Sequence, residues 1–225
     1  MAVHRKAGSY TGLENLGRVR LSKHFYMRNF LYSEIANFYG RQNMPDHPQV
    51  AIAAGKGLCE NLLEPLVETF GPIEIRSGFR SSELNHFGAT QVTPQKCSRN
   101  SENYAGHIWD RRGEDGSLGA TVSIVIPWFA DQYNAGRDWR DLAWWIYDHL
   151  PCSEQCYFPV NAAFNLQWRE IQQKDIYSYI DPLGLLIRVE QNPDAVEPDR
   201  ALRYSDFPPF RGIQYPPRPS QWSDT

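Results

Sequence analysis

The stretch Ala120-Thr121-Val122-Ser123-Ile124-Val125-Ile126 has the pattern of a β-strand, and Pro127 marks its end. Beyond it, residues 138–150 carry apolar side chains at helical spacing, with Asp138 placed to begin the helix. Further strand candidates follow that helix, at residues 156–158, 163–168, 176–179 and 184–189. The second half of the chain therefore predicts strands with a helix among them.

The first half of the chain is predicted to be mainly helical. Residues 21–40 place apolar side chains near helical spacing, and Ser33 is suited to begin a helix there. Residues 48–69 form the clearest helix, and residues 73–75 alternate as a short strand. Residues 86–118 are polar and rich in Gly, Asn and Ser, which predicts a solvated loop. Helices first and strands later indicate an α+β domain.

Composition excludes several classes of protein. Of the 225 residues, 41% are hydrophobic and 22% are charged, which is ordinary for a globular domain. The formal charge of -3 argues against a nucleic-acid partner, and no apolar run is long enough to span a membrane. Without a secretory signal pattern, we expect a cytoplasmic protein with reduced cysteines. Cys152 and Cys156 are four apart, so a disulfide or half of a metal site stays open.

The chain divides into three parts by composition. Residues 1–20 are predicted to be a loose lead-in, and residues 21–189 to form the domain. Residues 190–225 are rich in proline, which predicts an extended tail that wraps the domain or stays loose. The sequence does not indicate an oligomeric state.

The segment Ile75-Arg76-Ser77-Gly78-Phe79-Arg80-Ser81-Ser82-Glu83-Leu84-Asn85 resembles the S-G-[YF]-R-S-x-x-x-N motif of the zinc D-alanyl-D-alanine carboxypeptidase and dipeptidase family. The resemblance implies a small antiparallel sheet with N-terminal helices packed on it. It also implies that Arg80 binds the carboxylate of a substrate. A planar, permanently charged guanidinium can form a bidentate pair with a carboxylate. The alternative is that Arg80 pairs with an internal acid such as Glu83.

The family's metal motif is S-x-H, then G-x-A-x-D, then a distant third His, and it aligns with this chain in two registers. The gapless register places Asn103 on the first His and Asp110 on the Asp. The other register places His107 on the first His and Ser123 on the Asp. We prefer the second register because it puts the apolar strand where the family's ligand-bearing strand lies. The third His falls on Asn165, so each register keeps one ligand of three, and neutral Asn and Ser are poor zinc ligands.

The family's general base is also missing from this chain. One branch of the family has a Glu three residues before the third His, where this chain has Ala162. Another has an Asp two residues after it, where this chain has Gln167. Neither side chain can take a proton from a metal-bound water. Ordinary zinc peptidase activity is therefore not expected.

Three functions are consistent with this pattern. The first is a diverged enzyme, metal-dependent or acid–base, that acts on a small carboxylate-bearing amino-acid or peptide-like substrate. The second is a non-catalytic protein that binds such a ligand, and the third is a zinc-dependent peptidase or amidase with unusual ligands. His107 and Asp110 are the predicted catalytic pair, or the ligands of a divalent metal such as zinc or iron. The predicted substrate-binding residues are Arg80, Ser123, Asn165 and Gln167.

Overall fold

The computed structural model describes residues 8–94, 96–188 and 195–211. Its helices precede and interrupt a single sheet, which confirms the α+β class. The α-helices are Tyr10–Gly17 (α1), Glu34–Phe38 (α2), Pro48–Leu58 (α3), Glu64–Phe70 (α4), Ser82–Thr90 (α5), Asn100–Asn103 (α6), Pro127–Asn134 (α7) and Trp139–His149 (α8). A π-helical turn at Cys59–Leu63 joins α3 to α4, and 3₁₀ turns lie at Met27–Phe30 and Arg200–Tyr204.

The helix starts follow the capping residues of the sequence. The Ser33 hydroxyl accepts a hydrogen bond from the backbone N–H of Ala36 and caps α2. The Asp138 carboxylate accepts one from the backbone N–H of Arg140 and caps α8. The helix predicted for residues 48–69 is confirmed as α3, the π turn and α4, and Gly71 ends it with a φ of 83°.

The strands form one six-stranded sheet in the order β1-β2-β4-β3-β5-β6. They are Glu74–Ser77 (β1), Gly119–Val125 (β2), Glu154–Tyr157 (β3), Phe164–Arg169 (β4), Asp175–Ser178 (β5) and Gly184–Ile187 (β6). The expectation of a purely antiparallel sheet is wrong, because β5 returns on the far side of β3 and runs parallel to it. The remaining neighbours are antiparallel.

One face of the sheet is apolar and lies under the helices. Val122 and Leu166 are directly opposite each other on β2 and β4 and are fully buried. Gly57 of α3 is so close to the ring of Trp168 on β4 that a Cβ there would lie 2.3 Å from it. On β3, Gln155 donates a hydrogen bond of 3.2 Å to the carbonyl of Ala143 in α8. Because side chains alternate along a strand, the residues between these must lie on the opposite face.

Three regions depart from the sequence prediction. Residues 1–20 were expected to be a loose lead-in, but Tyr10–Gly17 form α1, because the Ser9 hydroxyl caps the first turn by accepting from the backbone N–H of Gly12. The loop expected at residues 86–118 is partly helical, since α5 continues to Thr90 and α6 lies within it. Helix α7 was not predicted at all. The part of the Pro-rich tail at residues 195–211 packs on the domain. Phe207 is 8% exposed there, and the centroid of its ring lies 5.2 Å from that of Trp128.

Candidate functional site

The second face of the sheet carries two rows of polar side chains, which we call the polar face. The strand registers align four strands in each row. One row is Thr121, Gln167, Glu154 and Asp175, and the next is Ser123, Asn165, Cys156 and Tyr177. Residues two apart on a strand point to the same side, so both rows share one face.

A cavity of about 580 Å³ lies over the polar face, and all eight of its residues line this cavity. The remaining wall near β2 comes from the turn after β1 and from the segment around α6, including Arg80, Cys97, Asn103 and His107. At the other end, Phe158, Tyr179 and Arg188 complete the lining beside β5 and β6. Arg80, His107, Ser123, Asn165 and Gln167 therefore lie on one cavity although up to 87 positions separate them in the sequence.

Arg80 is held rigidly in the turn between β1 and α5. Its backbone N–H donates to the carbonyl of His107 at 2.8 Å. Its guanidinium Nη1 donates to Asn85 Oδ1 at 2.9 Å and contacts Cys97 Sγ at 3.1 Å. Glu83 forms an ion pair with Arg41 instead, so it does not neutralise Arg80.

The charge on Arg80 has no acidic counterpart in contact within the part of the chain that the structure describes. Glu34 acts on it through space, but no ion pair joins the two. Burial lowers the pKa of the Arg80 guanidinium below its ordinary value, because desolvation disfavours the charged form. The group is still a cation at any physiological pH. A half-buried cation of this kind has the charge and the donors needed to form hydrogen bonds with an anion.

His107 is a neutral imidazole at this end of the cavity. Its Nδ1 donates to the carbonyl of Gly78 at 3.0 Å, which leaves Nε2 as the nitrogen with a free lone pair. Burial and, secondarily, the charge of Arg80 lower the pKa of His107 to about 3. Gly78 must be glycine here, since a Cβ would lie 2.8 Å from the Cβ of Phe30. His107 can therefore accept a hydrogen bond, but it does not titrate near neutral pH.

The predicted binding residues of β2 and β4 contact each other or the cavity wall. The Ser123 hydroxyl donates a short hydrogen bond to Asn165 Oδ1 across the two strands. Gln167 Nε2 donates to the carbonyl of Ala105 at 3.2 Å. Ala105 itself has a φ of 54°, an uncommon conformation for a residue with a side chain. The segment that covers this end of the polar face is thus fixed to β4.

Asp110 does not share the site of His107. Its Oδ2 accepts from the backbone N–H groups of Asp46 at 2.6 Å and His47 at 3.1 Å, which anchors the loop before α3. Burial raises the pKa of the Asp110 carboxyl, although those two hydrogen bonds act in the opposite direction. Asp110 is absent from the cavity lining, and no hydrogen bond or ion pair joins it to His107. The geometry gives no basis for the predicted His107–Asp110 pair, because the turn after His107 directs Asp110 towards α3.

Glu154 and Asp175 are two acidic residues of the cavity that sequence reasoning missed. They are opposite each other on the parallel strands β3 and β5. Burial and then the neighbouring Asp175 raise the pKa of the Glu154 carboxyl, whereas Arg188 and Arg169 lower it. Neither strand alternates between polar and apolar residues, since β3 is Glu-Gln-Cys-Tyr and β5 is Asp-Ile-Tyr-Ser, so the sequence offered no signal for this pair before the strand register was known.

A different group has the composition of a metal site, at the edge of the domain. His24, Glu64 and Glu68 place one potential ligand atom each within 4.8 Å of one another. The buried Glu64 carboxylate already accepts from Ser22 and His24, and Lys23 pairs with Glu68 at 2.6 Å. Among the described residues, no group of three His, Cys, Asp or Glu ligands includes His107 or Asp110.

The four cysteines are all buried and free, so Cys152 and Cys156 do not form a disulfide.

Over residues 8–94, 96–188 and 195–211, no helix has the length and apolar character needed to cross a membrane.

Comparison with known proteins found no relative. No protein-family model matches the chain, and no curated protein or solved structure is significantly similar to it.

Proposed function

We propose that this protein binds a small carboxylate-bearing molecule, of amino-acid or peptide-like character, in the cavity over the polar face. The observation that carries the proposal is the Arg80 guanidinium, which lines the cavity without an ion-pair partner among the described residues. Removing a cation from water without a counter-ion costs free energy. A bound carboxylate offsets that cost by forming charge-assisted hydrogen bonds with the guanidinium.

We also propose that the domain is related to the zinc D-alanyl-D-alanine peptidases through the second of the two registers. That register maps the three metal ligands onto His107, Ser123 and Asn165, and all three line the cavity beside Arg80. The gapless register uses Asp110, which lies outside the cavity. Convergence of residues so distant in sequence supports the relationship.

The residues present do not suit the family's zinc ion. Ser123 and Asn165 contact each other directly through a hydrogen bond, so the two side chains occupy the space that a metal between them would need. Of the three positions only His107 offers a good ligand for zinc, and a catalytic site needs three. The chemistry proposed for this cavity therefore does not use that metal.

A second candidate is the diverged enzyme, and Glu154 is the observation that favours it. Its carboxyl faces the cavity and has a raised pKa, the property of a general acid or base that works nearer to neutral pH. His107, with its pKa of about 3, is less suited to that role.

We propose a cytoplasmic location, which the four free thiols support.

Calorimetric titration with D-alanyl-D-alanine and with its C-terminal amide tests the ligand class. We expect the free acid to bind more tightly than the amide. We also expect Arg80→Ala to reduce the affinity for the free acid by at least about tenfold. Arg76→Ala is the matched control, because this exposed arginine lies on β1 outside the cavity. Equal affinities for acid and amide, or an unchanged affinity in Arg80→Ala, would contradict the proposal.

A further inference from the structure

The cavity is electrically asymmetric. Arg80 lies at the end near β2, and the exposed Lys96 and Glu102 line the same side. The other end contains Glu154 and Asp175, with Arg188 paired to Asp175, while Arg169 acts on Glu154 through space and pairs with Asp115. When these two arginine–aspartate pairs are counted as neutral, these side chains leave one excess positive charge at the Arg80 end and one excess negative charge, that of Glu154, at the other. A ligand held by its carboxylate at Arg80 would therefore meet a negative field at its other end.

Asp175 presents an unsatisfied acceptor in this region. Its side chain is only 4% exposed, and Oδ2 pairs with Arg188 at 2.8 Å. Its Oδ1 is fully buried and has no hydrogen-bond partner among the described residues. Buried acceptors in folded proteins nearly always have a hydrogen-bond donor, so this oxygen can accept a hydrogen bond from a further donor such as a water or a bound ammonium group.

Glu154 adds a second acceptor next to the first. Its half-buried carboxylate forms no hydrogen bond or ion pair with another described residue, although Arg169 and Arg188 act on it through space. Cys156, the next residue on the same face of β3, is a buried thiol whose pKa burial raises to about 12, so it adds no charge at neutral pH. The rings of Tyr177 and Tyr179 stand beside these groups, with centroids 5.2 Å apart. Carboxylates and aromatic rings together are the surroundings that bind an ammonium group.

We propose, on the basis of the function proposed above, that Glu154 and Asp175 bind a primary ammonium group of the same ligand whose carboxylate Arg80 binds. The ligand class is then a zwitterion, and a neutral or N-acylated carboxylic acid would use only half of the site.

The sheet sets the length of this ligand. The backbone N–H of Thr121 donates to the carbonyl of Gly106 at 3.0 Å, which fixes the segment carrying His107 along the edge of β2. Strand β4 separates β2 from β3, so two interstrand steps, or roughly 10 Å, lie between that edge and Glu154. The long side chains of Arg80 and Glu154 shorten this span. An α-amino acid, whose charges are one carbon apart, is too short, whereas a dipeptide, a tripeptide or an ω-amino acid fits.

The test compares 6-aminohexanoate with hexanoate, and glycine with acetate, by calorimetric or NMR titration of the full chain. Wild-type protein should bind 6-aminohexanoate about tenfold or more tightly than hexanoate, while glycine shows no such preference over acetate. Glu154→Gln and Asp175→Asn keep the side-chain shape and should each reduce the preference for the amine while leaving hexanoate affinity unchanged. Thermal unfolding of each variant checks that it is folded.

The outcomes separate the two proposals. If Arg80→Ala leaves hexanoate binding unchanged, or neither acid binds the wild type at millimolar concentration, the proposed function fails. If hexanoate binds through Arg80 but 6-aminohexanoate binds no better, the inference fails alone. An amine preference that persists in Glu154→Gln and Asp175→Asn also overturns it.

Discussion

We proposed above that this domain is related to the zinc D-alanyl-D-alanine peptidases, and introducing that family's metal ligands should then create a zinc site over the polar face. The double substitution Ser123→Asp and Asn165→His supplies a carboxylate and an imidazole where a hydrogen bond now joins the two strands. His107 supplies the third ligand, since its Nδ1 already donates to Gly78 and Nε2 has the lone pair. Its low pKa means that the imidazole is neutral at pH 7, so zinc does not have to displace a proton from it.

The expected magnitude follows from the contacts that change. Without zinc, the variant loses the hydrogen bond between Ser123 and Asn165, worth about 1 kcal/mol, and gains a half-buried carboxylate that costs a similar amount or more. Zinc at about a hundredfold over its Kd stabilises the folded state by about 2.7 kcal/mol. For a domain of this size, that corresponds to a rise in Tm of about 5–10 °C.

The assay is thermal unfolding with zinc and with a chelator, together with metal content after dialysis. The rival design is Asn103→His with Asn165→His, which rebuilds the gapless register around the natural Asp110. We expect no zinc-dependent stabilisation in that variant, because the Asp110 carboxylate is bound to the backbone before α3. Stabilisation of the rival design, or of neither, would refute the register and the fold relationship inferred from it.

Three further predictions concern the stability of the folded chain. The pKa of His107, about 3 in the folded chain against an ordinary 6.5, means that the unfolded chain binds more protons between those values. Stability should therefore fall on acidification through that range, by up to about 1.4 kcal/mol per pH unit, and urea unfolding of His107→Gln should show a shallower slope. Phe207→Ala should cost about 3 kcal/mol in urea unfolding, but Phe210→Ala, at a 40% exposed residue, less than about 1 kcal/mol; equal losses would contradict the packing of the tail. Gly57→Ala should destabilise by about 2 kcal/mol in the same assay despite alanine's higher helix propensity, because the added Cβ would overlap the ring of Trp168; stabilisation would contradict this contact.

Much of the fold could be predicted from local patterns. Helical spacing and capping residues identified α8 and the long helix from residue 48, because each signal acts over a few neighbouring positions. The missed helix α7 begins at Pro127, which was interpreted only as the end of a strand. Proline both ends a strand and suits the first turn of a helix, so this residue alone does not distinguish the two.

The parallel pairing of β3 and β5 was beyond local patterns. It depends on which side of β3 the chain returns to after β4, and nothing in the alternation of a four-residue strand encodes that choice. For the same reason, the acidic end of the cavity could not be predicted from the sequence. Glu154 and Asp175 are 21 positions apart and become neighbours only through that pairing.

The family resemblance selected residues that lie together in the structure, although their roles stay predictions. Arg80, Ser123, Asn165 and Gln167 all line the cavity, and His107 does so as well. The pairing of His107 with Asp110 rested on proximity in sequence alone. A separation of three residues brings side chains together in a helix, but here the chain turns and the two side chains serve different contacts.

The contacts around Arg80 favour recognition of an anion. Asn85 connects the Arg80 guanidinium to Ser98 and Asn100 by hydrogen bonds of 2.8–3.0 Å, and the His107 carbonyl fixes the backbone of Arg80. Beside it, Ser123 and Asn165 form a hydrogen bond with each other across β2 and β4. A cavity that holds a half-buried cation in place, with no acidic partner in contact among the described residues, is suited to the recognition of an anion that the proposed function requires.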